Sequence, residues 1–246
     1  MYRPVSPNLP HAPICAALVD YRLPESICEG LQRQGITLVR TFAHPDLPEG
    51  LNGHPDLQIC HVQENHAVCA PGLEEYYWEK LLPYGISVMP GKQMLGGTYP
   101  QDAAYNVARM GECMVCAKTR EASLSAFAKT VILVRQGYVK CNLCVVNETS
   151  VITSDAGIAK ALTGYGMDVL CIRSGYIALK GYSYGFIGGA TGLIAPDCLA
   201  FFGRADFHPD YSKIKAFCLQ RGVTPVLLGD EPLADYGSLL PLATLA

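Results

Sequence analysis

Short apolar runs alternate with polar turns marked by glycine or proline along the whole chain, and the alternation recurs. The segment Gly137–Gly157, GYVKCNLCVVNETSVITSDAG, shows one complete unit: two apolar runs, a polar turn between them, then a helix start. Laid on GHPDLQICHVQENHAVCAPGL from Gly53, it matches without a gap. Glycine meets glycine, Cys144 meets Cys60, Glu148 meets Glu64 and Ile152 meets Val68. Moved toward the C-terminus, LCVVNETSVITSD meets ATGLIAPDCLAFFG with the same apolar–polar–apolar rhythm. A recurring supersecondary unit sets the architecture before any single motif does.

Taken in order, ICAALVD (14–20) reads as a buried strand. PESICEGLQRQG (24–35) reads as a helix opened by proline and closed by glycine, and ITLVRTF (36–42) as the returning strand. The second pass is LQICHV, HAVCA, the helix LEEYYWEKLLPYG (73–85) and ISVMP. The third has strands around ECMVC, a short helix EASLSAFAK and TVILVRQ. The fourth opens with strands at Val139–Val146 and Ser150–Ser154, then AGIAKALTGYG and MDVLCIRSG. The fifth runs IGGATGLI, CLAFFG, the helix YSKIKAFCLQRG (211–222) and VTPVLLGD. Four helices end in glycine before a strand, at QGI, YGI, YGM and RGV. Five passes of roughly 40 residues, mostly ββαβ with the first abbreviated, predict a closed five-bladed α/β propeller around a pseudo-five-fold axis. Residues 14–238 form this one domain, preceded by a proline-rich arm (1–13) and followed by a tail (239–246). A doubly wound sheet is the alternative, but IGGATG, its nearest phosphate-turn candidate, has no helix directly behind it.

Half of the 246 residues are hydrophobic and 17% are charged, enough apolar material for a large core. A net charge of -3 without a basic block argues against nucleic acid. No apolar run is long enough to span a bilayer, and the N-terminus has no secretory pattern. Eleven cysteines, odd in number and set in apolar runs, read as free buried thiols of a reduced cytoplasmic protein. The CxxC pairs Cys113/Cys116 and Cys141/Cys144 lie in strand-like runs that send the two thiols to opposite faces, so no metal site and no cofactor is expected. A homodimer is the default oligomer.

The informative positions are those where aligned units carry different chemistry. With the openings read as strands, His54, Asp56 and Gln58 share one face in the second unit, and Tyr138, Lys140 and Asn142 share it in the fourth. Leu57 and Cys141 then point away into packing. Two polar rows in apolar strands predict an axial pocket for a small polar ligand, lined by His54, Asp56, Asp102, Asn106, Tyr138 and Lys140, with Gly188 and Gly189 leaving room. The competing reading is a buried Asp56–Lys140 ion pair that only neutralises the axis. HPD at His44–Asp46 and His208–Asp210 reads as turn chemistry.

Five such units with HPD-like openings resemble the pentein superfamily, the guanidino-group-modifying enzyme fold of deiminases, dimethylarginine dimethylaminohydrolase and amidinotransferases, over roughly 14–236. The resemblance implies a cysteine nucleophile in the fifth unit, a histidine in the fourth, and acids in the second and third. Asp56 keeps the second-unit acid. The third-unit acid falls near Asn106 or at Asp102. The histidine position holds Tyr138 and the cysteine position Gly189. Two readings follow. One is a binding protein for an amino acid or guanidino compound, with Asp56 on the cationic end and Lys140 on a carboxylate. The other is a divergent hydrolase or transferase of guanidino or amidine C–N bonds. It would use His54 as base, Asp56 as orienting partner or clamp, and water or Cys141 as nucleophile.

Overall fold

The glycines that close the predicted helices adopt the left-handed conformation that such C-termini use: φ is 79° at Gly35, 78° at Gly85, 79° at Gly166 and 72° at Gly222. Each reverses the chain into a strand parallel to the one that preceded its helix. In the computed structural model, which describes Met1–Ala246, this device builds five small sheets.

The elements in order are β1 (Tyr2–Pro4), β2 (Ile14–Val19), α1 (Glu25–Arg33) and β3 (Thr37–Arg40), then α2 (Pro55–Gln58), β4 (Ile59–Gln63), β5 (His66–Cys69), α3 (Glu74–Leu81) and β6 (Ser87–Pro90). Next come β7 (Ala108–Met110), β8 (Cys113–Ala117) and β9 (Thr130–Val134), with a 3-10 turn at Ala122–Phe127 in place of a full helix. The fourth unit comprises α4 (Val139–Asn142), β10 (Cys144–Val145), β11 (Ser150–Thr153), α5 (Ala156–Gly164) and β12 (Asp168–Cys171). The fifth comprises β13 (Thr191–Ala195), β14 (Cys198–Arg204), α6 (Tyr211–Leu219) and β15 (Thr224–Pro232), and β16 (Leu240–Leu245) ends the chain.

In every unit an antiparallel hairpin is followed by a parallel return. The aligned positions coincide in register: Cys60 faces Val68, Cys144 faces Ile152 and Gly192 faces Ala200. The expected five-bladed α/β propeller is the observed fold.

The two chain ends complete the first unit instead of leaving it. β16 lies between β1 and β2, antiparallel to both, and supplies the hairpin strand that the other units take from within. The segment read as a tail therefore closes the ring, and Leu240 and Leu242 on it are buried. The proline-rich arm packs inward too: Val5 is buried and the Asn8 side-chain amide donates to the Arg109 carbonyl at 2.9 Å. Cores lie between neighbouring units, one joining the third and fourth through Val115, Ile132, Val151 and Ile158, another the first and fifth through Ile27, Leu31, Phe202 and Leu228. Each unit buries its apolar face only against the next, so the ring must close to be stable. No helix is long and apolar enough to cross a membrane.

Candidate functional site

The opening segments of the second and fourth units are single helical turns, α2 and α4, not strands. Proline at the first position of α2 starts that turn. Four residues are too few for a period to show, so the strand parity expected from alternation fails. Gln58 leaves the site: its amide nitrogen donates to the carbonyls of Phe42 and Asn52, and its oxygen accepts from Tyr77. Asn142 bonds back to the Tyr138 carbonyl. Cys141, expected in packing, comes to the axis instead.

There its Sγ stands 3.3 and 3.2 Å from the two Asp56 carboxylate oxygens and 3.2 Å from the Asn106 amide nitrogen. Asn106 holds α4 in place, its oxygen accepting from the backbone N–H groups of Lys140 at 2.7 Å and Cys141 at 3.2 Å, and its amide donating to the Asp56 carbonyl. These are helix-start donors with no partner inside the turn. Asp56 and Lys140 meet through a third residue. The Lys140 ammonium donates to the Ser238 hydroxyl at 2.9 Å, which donates to Asp56 at 2.7 Å. Ser238 is fully buried and has a left-handed backbone, φ 75°, unusual for a residue with a side chain and typical of strained functional positions.

Asp235 is the main residue the sequence did not reveal. Its carboxylate accepts from the Gly237 and Phe186 backbone N–H groups, both at 2.9 Å, and approaches the His54 imidazole to 3.9 Å. The two glycines expected to leave room do so for named groups. A side chain at Gly189 would strike the Asp235 carboxylate, and one at Gly188 the Lys140 and Leu143 carbonyls. Gly237 is equally constrained by His54. His54 is fully buried and neither ring nitrogen makes a well-formed hydrogen bond, Asp235 being the polar group it approaches. At the rim, the Tyr138 hydroxyl donates to Asp102 at 2.5 Å, so the tyrosine at the histidine position is tied to the third-unit acid.

A cavity of about 240 Å³ opens onto His54, Cys141, Asp235 and Tyr138, with Phe186, Tyr182 and Tyr184 as aromatic walls. An adjoining groove of about 530 Å³ shares Leu179 and Asp235 with it. Its cations are already committed, Arg22 to Asp20 and Lys180 to Glu49, so the unbalanced charge lies in the inner cavity.

Burial raises Asp56 to about 6 in spite of Lys140, and raises Asp235 to about 7 with the repulsion of Asp56 added. Asp102 is raised by burial as well. Burial lowers His54 to about 3, helped by the Arg22 charge, so the imidazole is neutral. Burial, then the Asp56 and Asp235 charges, lift the Cys141 thiol well above its usual value. Two buried carboxyl groups, Asp56 and Asp235, act on a single buried lysine whose own charge is disfavoured by burial, while Asp102 is tied to Tyr138.

The whole ring is similar to solved structures of guanidino-modifying enzymes. An inosamine-phosphate amidinotransferase from Streptomyces griseus superposes with TM-score 0.61 at 11% identity, covering 98% of this chain and 97% of that one. A substrate-bound variant of agmatine deiminase from C. jejuni gives 0.57 at 8% identity, covering 98% and 96%. The citrulline complex of a dimethylarginine dimethylaminohydrolase variant from Pseudomonas aeruginosa gives 0.56 at 11% identity, covering 89% and 92%. The fold is therefore the pentein fold. No curated protein sequence matches the chain. Residues 18–240 match the profile of the family of unknown function DUF6873, and the chain belongs to that family.

Proposed function

We propose that the axial cavity binds a small organic cation of the guanidino, amidine or amine class. One observation carries the reading: Asp235 lines an aromatic-walled cavity that no cation lines, buried Asp56 and Asp102 stand behind its Cys141 and Tyr138 walls, and the nearest lysine, Lys140, is engaged by Ser238. A bound cation supplies the missing charge, and the faces of Tyr138 and Phe186 favour it further. The fold likeness to enzymes that handle guanidino compounds supports the same class. Thermal-shift and calorimetric titration with arginine, agmatine and the neutral analogue citrulline tests it. The cations are expected to bind and citrulline to bind at least tenfold more weakly. Absence of binding by either cation, or equal binding by Asp56→Ala, overturns the reading.

A second reading adds chemistry at Cys141, favoured by its thiol lining the cavity between Asp56 and a partnerless His54. Sγ bonds to the amidine carbon as the thiol proton passes to Asp56. The carbon–nitrogen bond breaks as that proton passes from Asp56 by way of His54 to the departing amine; water then adds to the carbon, the carbon–sulfur bond breaks, and a proton of that water returns to sulfur. The bound cation opposes the carboxylate charges that hold the thiol protonated, so the thiolate forms only with substrate in place. Iodoacetamide labelling with peptide mapping separates the readings. Ligand-protected modification at Cys141 supports a nucleophile, and modification only after unfolding excludes it.

A further inference from the structure

We propose that His54, Cys141 and Asp235 form a site for one zinc-class divalent metal ion at the inner end of the axial cavity. The three side chains come from the second unit, the fourth unit and the loop before β16, yet their ligating atoms all lie within 4.8 Å of one another. All three are buried, His54 at 0%, Cys141 at 2% and Asp235 at 3% exposure. Tetrahedral zinc with bonds of 2.0–2.3 Å places its ligands about 3.5 Å apart, close to the 3.9 Å between His54 Nδ1 and the Asp235 carboxylate.

Three features argue that the arrangement is built. His54 has two buried ring nitrogens without a partner, the condition of an imidazole waiting for a ligand. Asp235 is already oriented by two backbone N–H groups, the outer support that metal-binding carboxylates use. Side chains are excluded at Gly189 and Gly237, so the carboxylate and the imidazole can converge. The CxxC pairs play no part: Cys144 and Cys116 point into separate apolar cores.

Sulfur, nitrogen and oxygen donors together select a borderline-soft ion such as zinc over magnesium or calcium, which take oxygen only. Three protein ligands leave a fourth position open toward the cavity. On binding, the thiol S–H bond breaks, sulfur coordinates the ion and the proton passes to Asp56, 3.2 Å away. The ion and an organic cation draw on the same carboxylates and compete for the cavity. The inference does not depend on the organic-cation reading, because metal binding is read in the ligand-free protein.

The full chain, stripped with chelator, is titrated with Co²⁺ and then Zn²⁺. One equivalent of Co²⁺ is expected, with a thiolate-to-metal charge-transfer band in the near ultraviolet that Zn²⁺ bleaches. Cys141→Ala removes the band and weakens binding about a hundredfold, His54→Leu weakens it similarly, and Cys144→Ala leaves both intact. As a readout that needs no variant, Zn²⁺ slows alkylation of Cys141 in the native protein by at least tenfold, mapped by peptide mass. A folded wild type without the band, a band that survives in Cys141→Ala, or unprotected Cys141 overturns the proposal.

Discussion

The tripeptide His-Pro-Asp occurs three times, and the structure uses it in two ways. At His44–Asp46 and His208–Asp210 the imidazole Nδ1 accepts the backbone N–H of the aspartate, at 3.2 and 3.0 Å, closing a local turn. Asp46 is exposed, and the Asp210 carboxylate is answered by Arg173, which holds it well below the usual range. At His54–Asp56 the same tripeptide opens α2 at the ring's axis. There the imidazole bonds to nothing and the carboxylate meets Cys141 and Ser238. Local chemistry permits the turn. What surrounds it decides whether the polar atoms are spent on the chain or left for something else.

Four measurements break or sharpen this contrast. The largest effect is expected from Asp56→Ala, which removes the carboxylate that answers Lys140 through Ser238 and costs about 3 kcal/mol or more, while Asp46→Ala stays within about 0.5 kcal/mol. Urea denaturation reads both, and equal losses would mean that the two tripeptides are equivalent. Next comes ligand affinity. A cation needs ionised carboxylates, and Asp56 and Asp235 take up protons near 6 and 7, so arginine or agmatine affinity should rise about tenfold or more from pH 5 to pH 7.5 and then level. A flat calorimetric profile removes these carboxylates from the site.

A smaller effect concerns the histidines. His54→Leu removes two buried nitrogens that lack partners and should leave stability unchanged or raise it by up to about 1 kcal/mol, whereas His208→Leu loses the Nδ1 bond and costs about 1 kcal/mol. Reversal of that order, read by chemical melts, would make His54 structural. The smallest is a pH slope. The native Asp235 carboxyl, raised to about 7, keeps a proton between about pH 4 and 7 that the unfolded chain has released, so it makes stability fall as pH rises through that window. Asp235→Asn should therefore gain on the wild type by about 2–3 kcal/mol between pH 5 and 7.5, and a constant difference would show that Asp235 titrates normally.

The fold was legible because its signals are local and repeated. The register of Cys60 with Val68 and of Cys144 with Ile152 follows from an ungapped match of two segments, and the helix ends follow from four glycines. Asp56, Asn106, Lys140 and Tyr138 stand out in the sequence because they break an apolar pattern; the first three meet in one buried network and Tyr138 lines the cavity. Cys141 was misassigned because α4 is one turn long and was read with strand parity. Asp235 and Ser238 were missed because nothing beside them in the chain marks them. Their partners Phe186, His54, Asp56 and Lys140 all lie in other parts of the sequence.

The sequence by itself determined the five units, their hairpin registers and the polar character of the axis, since periodicity and turn chemistry act between near neighbours. Only the tertiary structure decided that β16 closes the ring, that Ser238 stands between Asp56 and Lys140, and that Cys141, His54 and Asp235 converge on one cavity. Those outcomes depend on ring closure, which brings together residues from the second, fourth and fifth units that no local preference places side by side.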